Sequence, residues 1–163
     1  MSCHTEAPTE AHALVLDRVL TSPRDKLWRC WTDPVLMEEW FCPKPWQVRD
    51  VVIDLRPGGE FTTVMHGPEG EVFPNTGVFL QIDEGRKLVF TDAFLPGWRP
   101  SGRPFMVAEI LFEDAPGGGT RYVATARHWT AEASREHEEM GFHEGWDAVA
   151  DQLDALAATL QEG

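Results

Sequence analysis

A tryptophan-rich block at residues 22–61 constrains the fold of this chain more than any other feature of its sequence. Ser22 is a candidate N-cap and Pro23 suits the first position of a helix, so a helix is predicted to begin there. The run Thr32-Asp33-Pro34 is expected to end this helix and to cap a second short one, which stops before Pro43. The aromatic residues of the two helices are Trp28, Trp31, Trp40 and Phe41. Short helices this rich in aromatic rings are expected to close one end of a core that strands build elsewhere.

Alternating apolar and polar residues predict a series of strands before and after this block. The strands are expected at about residues 13–20, 46–55, 59–66, 76–83, 87–94, 105–113 and 120–129. Short turns that contain glycine join several of them, for example at residues 83–86 and 116–119. Consecutive strands with such connections are typical of an antiparallel meander.

The apolar period changes from two to about three and a half after residue 131 or 134. The new stripe consists of Phe142, Trp146, Val149, Leu153, Leu156 and Leu160, which are spaced 4, 3, 4, 3 and 4 residues apart. This spacing predicts one long helix with a single apolar face, and such a helix must lie across one face of a curved sheet. The predicted fold class is α+β, with a curved antiparallel sheet of about 6–7 strands around a long C-terminal helix.

Several motifs resemble, in matching order, the pattern of the AHSA1-like family, which is named after the activator of the Hsp90 ATPase. They are residues 23–31, Asp33-Pro34, Trp40-Phe41, residues 54–59, residues 118–120 and residues 141–146, and the resemblance extends over roughly residues 12 to 161. It implies the helix-grip fold of the START/Bet v 1-like (SRPBCC) superfamily. That superfamily includes lipid carriers, aromatases and cyclases, hormone receptors and co-chaperone domains, so the resemblance implies no particular reaction.

The chain of 163 residues, 42% of them hydrophobic, is expected to form a single domain over residues 12–163 behind a disordered tail at residues 1–11. The sequence shows neither a signal-peptide pattern nor an apolar run of about 20 residues, which predicts a cytoplasmic protein. Its three cysteines form no Cys-x-x-Cys pair and are interpreted as free thiols. A net charge of −13 argues against nucleic acid and anionic membranes as partners.

Two glycines in the predicted helix, Gly141 and Gly145, each cost about 0.5–1 kcal/mol relative to alanine. One interpretation is that they leave room for a ligand between helix and sheet, and the other is that they permit close packing or a kink.

The loop at residues 95–104, around Trp98, likewise has two interpretations. It is either a lid over the mouth of a cavity or a connection whose tryptophan packs locally.

The phase of the strands predicts which side chains face the helix. Asp92 and His128 share this inward phase, and a few polar groups in an apolar pocket would orient a ligand. Both residues lie near strand ends, however, where contact with water is the simpler expectation. The candidate ligand-binding residues are Trp40, Phe61, Met65, Phe90, Asp92, Phe94, Trp98, His128, Phe142 and Trp146.

Catalytic and metal-binding motifs do not emerge from the sequence. It contains no Ser-His-Asp order, no glycine-rich phosphate loop and no zinc-ligand spacing. His137 and His143 are six residues apart, which is the wrong helical interval for a shared metal, so both are expected on a solvated acidic surface. No catalytic residue, metal site or cofactor is therefore predicted.

The sequence predicts a protein that binds a small hydrophobic or amphipathic molecule between its sheet and its C-terminal helix. One alternative is an enzyme of the aromatase or cyclase type that uses His128 or Asp92 as an acid or base in the same cavity. Another is a chaperone-associated interaction domain, which would need an exposed apolar patch on the outside of the sheet. The sequence leaves a homodimer and a chaperone contact open.

Overall fold

The computed structural model describes residues 12–102 and 104–160 of the chain. The predicted tail at residues 1–11 lies outside this described part. The strands are β1 (Ala13–Leu20), β2 (Gln47–Ile53), β3 (Glu60–His66), β4 (Val72–Asp83), β5 (Lys87–Thr91), β6 (Phe94–Leu95), β7 (Arg99–Pro100), β8 (Val107–Asp114) and β9 (Thr120–Arg127). The α-helices are α1 (Arg24–Thr32), α2 (Pro34–Met37), α3 (Ala131–Glu139) and α4 (Phe142–Ala158).

Seven of the strands form one antiparallel sheet in the order β1-β9-β8-β5-β4-β3-β2, and β6 pairs with β7 in a separate hairpin. The predicted α+β architecture, with its antiparallel meander and a C-terminal helix on one face, is confirmed. Small residues lie on the inner face of β8 and β9, where Ala108, Ala124 and Ala126 are fully buried. Ala126 packs with Leu14 of β1 and Phe142 of α4, so the start of the C-terminal helix contacts this face.

The two short helices after β1 close one end of this core. Asp33 caps α2 as predicted, because its carboxylate accepts hydrogen bonds from the backbone N–H groups of Val35 and Leu36 at 2.9 and 3.4 Å. The predicted capping role of Ser22 is wrong. Pro23 takes the N-cap position instead, since the Ser22 hydroxyl donates to the backbone carbonyl of Asp154, 3.2 Å away on α4.

The predicted long C-terminal helix is confirmed as α4, but its predicted start near residue 131 or 134 is wrong, because α3 occupies the first part of this stretch. Gly141 separates α3 from α4 with a φ of +98°, a left-handed conformation that glycine adopts without strain. The kink interpretation therefore applies to Gly141. Gly145 lies inside α4, in the first turns of the helix.

Asp154 ties α4 to the segment between β1 and α1. Its carboxylate accepts hydrogen bonds from the Thr21 N–H at 2.9 Å, the Thr21 hydroxyl at 3.0 Å and the Ser22 N–H at 2.9 Å. Partial burial raises the pKa of Asp154, but these hydrogen bonds outweigh it and hold the pKa below its ordinary value. The carboxylate is therefore ionised at neutral pH, and both of its oxygens accept hydrogen bonds.

Replacing Asp154 with asparagine is expected to lower the free energy of unfolding by about 2 kcal/mol at pH 7, because charge-assisted hydrogen bonds are lost. The lowered pKa means that this stabilisation is present above about pH 4 and is lost as the pH falls through the pKa of the folded state. Urea unfolding at pH 7 and pH 3 measures both effects. Asp151→Asn is the matched control, since Asp151 forms only an exposed ion pair with Arg18 and should cost less than about 1 kcal/mol. Equal losses in the two variants would contradict the anchoring role of Asp154.

The outer face of the sheet carries two groups of ion pairs. Arg121 contacts Asp17 at 2.7 Å and Glu113 at 3.1 Å. A second group joins Glu109 to Arg127 at 3.2 Å and to Lys87 at 3.8 Å. Exposed valines of β1, at positions 15 and 19, lie among these charges. Asp17, with its partner Arg121, therefore separates the two exposed valines along β1.

A candidate ligand groove between the sheet and helix α4

Aromatic rings from α1, from the α2–β2 connection and from the inner face of the sheet form a cluster at the centre of the core. This central cluster consists of Trp31, Trp40, Phe41, Phe61, Phe79 and Phe90, with neighbouring ring centroids 4.9 to 6.4 Å apart. Trp40 is 1% exposed, and its indole N–H donates to the Cys30 carbonyl at 3.0 Å. Phe61 is also buried, whereas Phe90 is only partly buried. Of the predicted ligand residues in this cluster, Phe90 is therefore the most accessible.

A second aromatic group lies where the end of β9 meets α3 and α4. This histidine cluster consists of Phe105, His128, His137, Phe142 and Trp146, and the Phe142 and Trp146 centroids are 4.5 Å apart. Phe142 is fully buried and Trp146 is partly buried. Met106, like Trp146, packs against the buried cluster of Leu14, Ala126 and Phe142. It also lies two residues before Ala108, the β8 partner of Phe90, so it links the two clusters along the inner face.

Open space adjoins Gly145 on the side of α4 that carries the apolar stripe. Gly145 lies three residues after Phe142 and four before Val149, so the three positions share one side of the helix. A Cβ built on Gly145 would meet no atom within 4 Å. Phe90 and Met106 on the inner face of the sheet and Gly145, Trp146 and Val149 on α4 are all partly buried, and we call these five positions the inner groove, the candidate ligand site.

The other apolar candidates lie around this groove rather than on it. Trp98 belongs to the β6–β7 hairpin, is 52% exposed, and packs edge-on against Phe94 with ring centroids 5.7 Å apart. Its ring also covers Gly58, where an added Cβ would come within 2.9 Å of it. The structure thus gives Trp98 a local packing contact, and its role as a lid stays a prediction. Met65 lies on β3 opposite Phe73, further along the inner face.

The carboxylate of Asp92 holds the two ends of the hairpin segment together. Its Oδ1 accepts hydrogen bonds from the backbone N–H groups of Phe105 and Met106 at 2.8 and 3.2 Å. Its backbone carbonyl accepts one from the Ser101 hydroxyl at 2.6 Å. These bonds fix the start of β8, and with it the position of Met106 beside the inner groove.

His128 is buried and forms hydrogen bonds through both ring nitrogens. Its Nδ1 lies 2.9 Å from the His12 carbonyl, and its Nε2 lies 2.9 Å from Nδ1 of His137. The prediction that His137 lies on a solvated surface is wrong, because this side chain is only 8% exposed. His143 is exposed as predicted, 3.6 Å from Glu138.

The sequence contains a signal for His137 that a search for apolar residues misses. Thr130 caps α3 by accepting a hydrogen bond from the Ala133 N–H at 3.0 Å, which fixes the start and phase of this helix. Ser134 and His137, one turn apart, are its buried positions, and α3 has no large apolar residue. A helix that packs on the core without such a residue must bury a polar side chain, and His137 is the largest available on that side.

Protonation of His137 is expected to destabilise the fold. Burial and the neighbouring His128 lower the pKa of His137 to about 4, so folding favours its neutral form. The stabilisation is present above pH 6.5 and is lost as the pH falls to about 4, and contact with water limits the change to about 1–2 kcal/mol. Urea unfolding of the wild type at pH 7 and pH 4.5 should show this loss, whereas His137→Asn should show a much smaller one. His143→Asn is the control and should keep the wild-type pH dependence; the same dependence in all three proteins would contradict the assignment.

The two described cysteines, Cys30 and Cys42, are buried free thiols. Burial raises the pKa of each thiol to about 11, so both stay protonated and unreactive at neutral pH. Among residues 12–102 and 104–160, no group of three potential metal ligands occurs. Within the same residues, no helix is both long and apolar enough to cross a bilayer.

The curved sheet, the C-terminal helix across its inner face and the two short helices at one end define a helix-grip protein of the START/Bet v 1-like (SRPBCC) superfamily. Residues 21–158 match the model of the family described as Activator of Hsp90 ATPase homolog 1-like protein. The chain therefore belongs to the AHSA1-like family, as its motifs predict. No curated protein matches the sequence.

Solved structures agree with this assignment. Protein NE0264 from Nitrosomonas europaea is 44% identical, with a TM-score of 0.88 over 93% of this chain and 97% of that one. Protein Ms6760 from Mycobacterium smegmatis is 27% identical, with a TM-score of 0.76 over 94% of each chain. The AHSA1-like protein from Aeromonas hydrophila is 20% identical, with a TM-score of 0.70 over 93% of this chain and 96% of that one, and it supports the fold alone.

Proposed function

We propose that this protein binds a small hydrophobic or amphipathic molecule in the inner groove between the sheet and α4. The observation that carries the proposal is the open space at Gly145, on the apolar side of a helix whose neighbouring side chains are only partly buried. Phe90 and Trp146 would supply aromatic contact surface from the sheet and from the helix. Proteins of the SRPBCC superfamily commonly bind hydrophobic ligands, which agrees with this proposal.

The affinity would come mainly from the burial of apolar ligand surface. Each CH₂ group of a ligand that leaves water contributes about 0.8 kcal/mol, and an aromatic pair adds about 0.5–1.5 kcal/mol. We propose that Phe90, Trp146 and Val149 make direct contact with the ligand. Trp40, Phe61 and Phe142 are already buried in the core, so they would hold the contact residues in place without touching the ligand.

An open cleft of about 980 Å³ between α2 and β2 is the alternative location for a ligand. Its lining mixes apolar residues with five charged ones, Glu38, Glu39, Lys44, Arg49 and Asp50. An apolar molecule would gain little there, because binding would require these charged groups to lose water. We therefore place the ligand in the inner groove.

The other two function classes have weaker support. An aromatase or cyclase would depend on Asp92 and His128, and the hydrogen bonds of both residues go to the backbone and to His137. A chaperone-associated domain would need a continuous apolar patch, and ion pairs divide the outer face of the sheet. A chaperone contact and a homodimer stay predictions.

The buried free thiols of Cys30 and Cys42 support our proposal that the protein works in the cytoplasm, where thiols stay reduced.

Native mass spectrometry of protein purified from its own host tests the proposed function, together with thermal-shift measurements across a library of lipids and aromatic compounds. We expect either a co-purifying molecule of low mass or compounds that raise Tm. A compound at about 100 times its Kd should stabilise the fold by about 2.7 kcal/mol, which raises Tm by several degrees. A ligand-free mass and an unchanged Tm across the whole library would contradict binding.

A further inference from the structure

The unpaired ring nitrogen of His137 is the one observation in the groove region that the proposed function does not use. Among the described residues, Nδ1 of His137 contacts His128, and Nε2 has no hydrogen-bond partner. The side chain is nonetheless more than nine-tenths buried. Nε2 itself is not fully enclosed, so this accessible acceptor can be satisfied by water or by a bound ligand.

The hydrogen bonds of the pair determine which nitrogens carry protons. The His12 carbonyl can only accept, so Nδ1 of His128 must carry a proton. When both rings are neutral, Nε2 of His128 is then an acceptor, and Nδ1 of His137 must donate to it. Nε2 of His137 is left with a bare lone pair. The two consecutive hydrogen bonds, from His137 to His128 and from His128 to the His12 carbonyl, therefore make Nε2 of His137 a hydrogen-bond acceptor.

The surroundings of this nitrogen suit the end of an apolar molecule. The ring of His137 is bordered by Phe105, Phe142 and Trp146, with centroids at 4.8, 5.2 and 6.0 Å. Phe105 and Trp146 are partly buried, and Trp146 also lines the inner groove. A ligand whose end reaches these rings would find Nε2 of His137 as an acceptor beside them.

We propose that Nε2 of His137 accepts a hydrogen bond from a hydroxyl group of the bound molecule, so that the groove selects hydrophobic alcohols or phenols. The inference rests on the proposed function and narrows its ligand class. An ether has no proton to donate to this nitrogen. A carboxylate brings a negative charge against a lone pair, among aromatic rings that solvate it less well than water does.

Three naphthalene derivatives separate these classes: 2-naphthol, 2-methoxynaphthalene and 2-naphthoate, titrated against the full chain by tryptophan fluorescence. We expect the wild type to bind 2-naphthol about fivefold more tightly than 2-methoxynaphthalene, since one hydrogen bond contributes about 1 kcal/mol, and to bind 2-naphthoate most weakly. His137→Asn keeps an N–H near the Nδ1 position and lacks the acceptor at Nε2, so it should lose the preference. His143→Asn makes the same change at an exposed histidine and should keep it.

The outcomes distinguish the inference from the function on which it rests. Equal affinity of the wild type for 2-naphthol and 2-methoxynaphthalene, or a preference that survives in His137→Asn, would overturn the role of His137 and leave groove binding intact. Failure of all three compounds to bind would overturn both. Should His137→Asn not fold, ¹⁵N NMR of the wild-type imidazoles decides the matter. A bare Nε2 on His137 whose resonance moves on addition of 2-naphthol supports the inference, and a proton on Nε2, or a resonance that does not move, contradicts it.

Discussion

Replacement of Trp40 with alanine is expected to lower the free energy of unfolding by about 3–5 kcal/mol. The ring is 1% exposed and lies 5.0 Å from Trp31 and 5.2 Å from Phe41 between centroids. Its removal would leave a cavity that these neighbours cannot fill, and the Cys30 carbonyl would lose its hydrogen bond from the indole. Urea unfolding at pH 7 measures the loss.

Trp98→Ala is the matched control for this prediction. It removes the same side chain from a position that is 52% exposed, so it should cost about 1 kcal/mol or less. A Trp40→Ala protein as stable as Trp98→Ala would contradict the packing role of Trp40. A large loss confirms that the tryptophan-rich block builds the core and makes direct ligand contact by Trp40 unnecessary to explain its presence.

Replacement of Gly145 with phenylalanine is expected to weaken binding of 2-naphthol more than about tenfold while the fold is kept. A Cβ at this position meets no atom within 4 Å, so the new ring can enter the open space that a ligand would otherwise occupy. Titration by tryptophan fluorescence measures the affinity, and urea unfolding checks the stability.

The matched variant Gly145→Ala adds only a methyl group at the same place. It should preserve binding and raise the free energy of unfolding by about 0.5–1 kcal/mol, because glycine inside a helix costs that much relative to alanine. Wild-type affinity in Gly145→Phe would place the ligand elsewhere. Loss of binding in Gly145→Ala as well would indicate that the change acts through the helix and not through the filled space.

Features encoded by local pattern could be predicted from the sequence. Strand alternation, the apolar stripe from Phe142 onwards and the Asp33 cap each depend on residues close together in the chain, and the structure confirms them. The hydrogen bond of the Ser22 hydroxyl could not be predicted from local pattern, because its partner Asp154 lies 132 residues away. A kink at Gly141 was one of two interpretations of that glycine, and local pattern could not choose between them, since the stripe that defines the helix begins only after it.

The candidate site was harder to predict than the fold. Strand phase tells which side chains face inward, but it does not tell how deeply each one is packed, so Phe61 and Phe90 looked equivalent in the sequence. His137 was assigned to the surface because glutamates surround it in the sequence, whereas its burial depends on the phase of α3 against the end of β9. Depth and contacts between distant elements are properties of the assembled fold.

Amide chemical-shift mapping with 2-naphthol tests the central claim most directly, because it locates the bound molecule on the protein. The account predicts that the largest changes fall on the inner groove, at Phe90, Met106, Gly145, Trp146 and Val149. Changes confined to residues 44–50, beside the open cleft between α2 and β2, would contradict it, as would a spectrum that stays unchanged at saturating 2-naphthol.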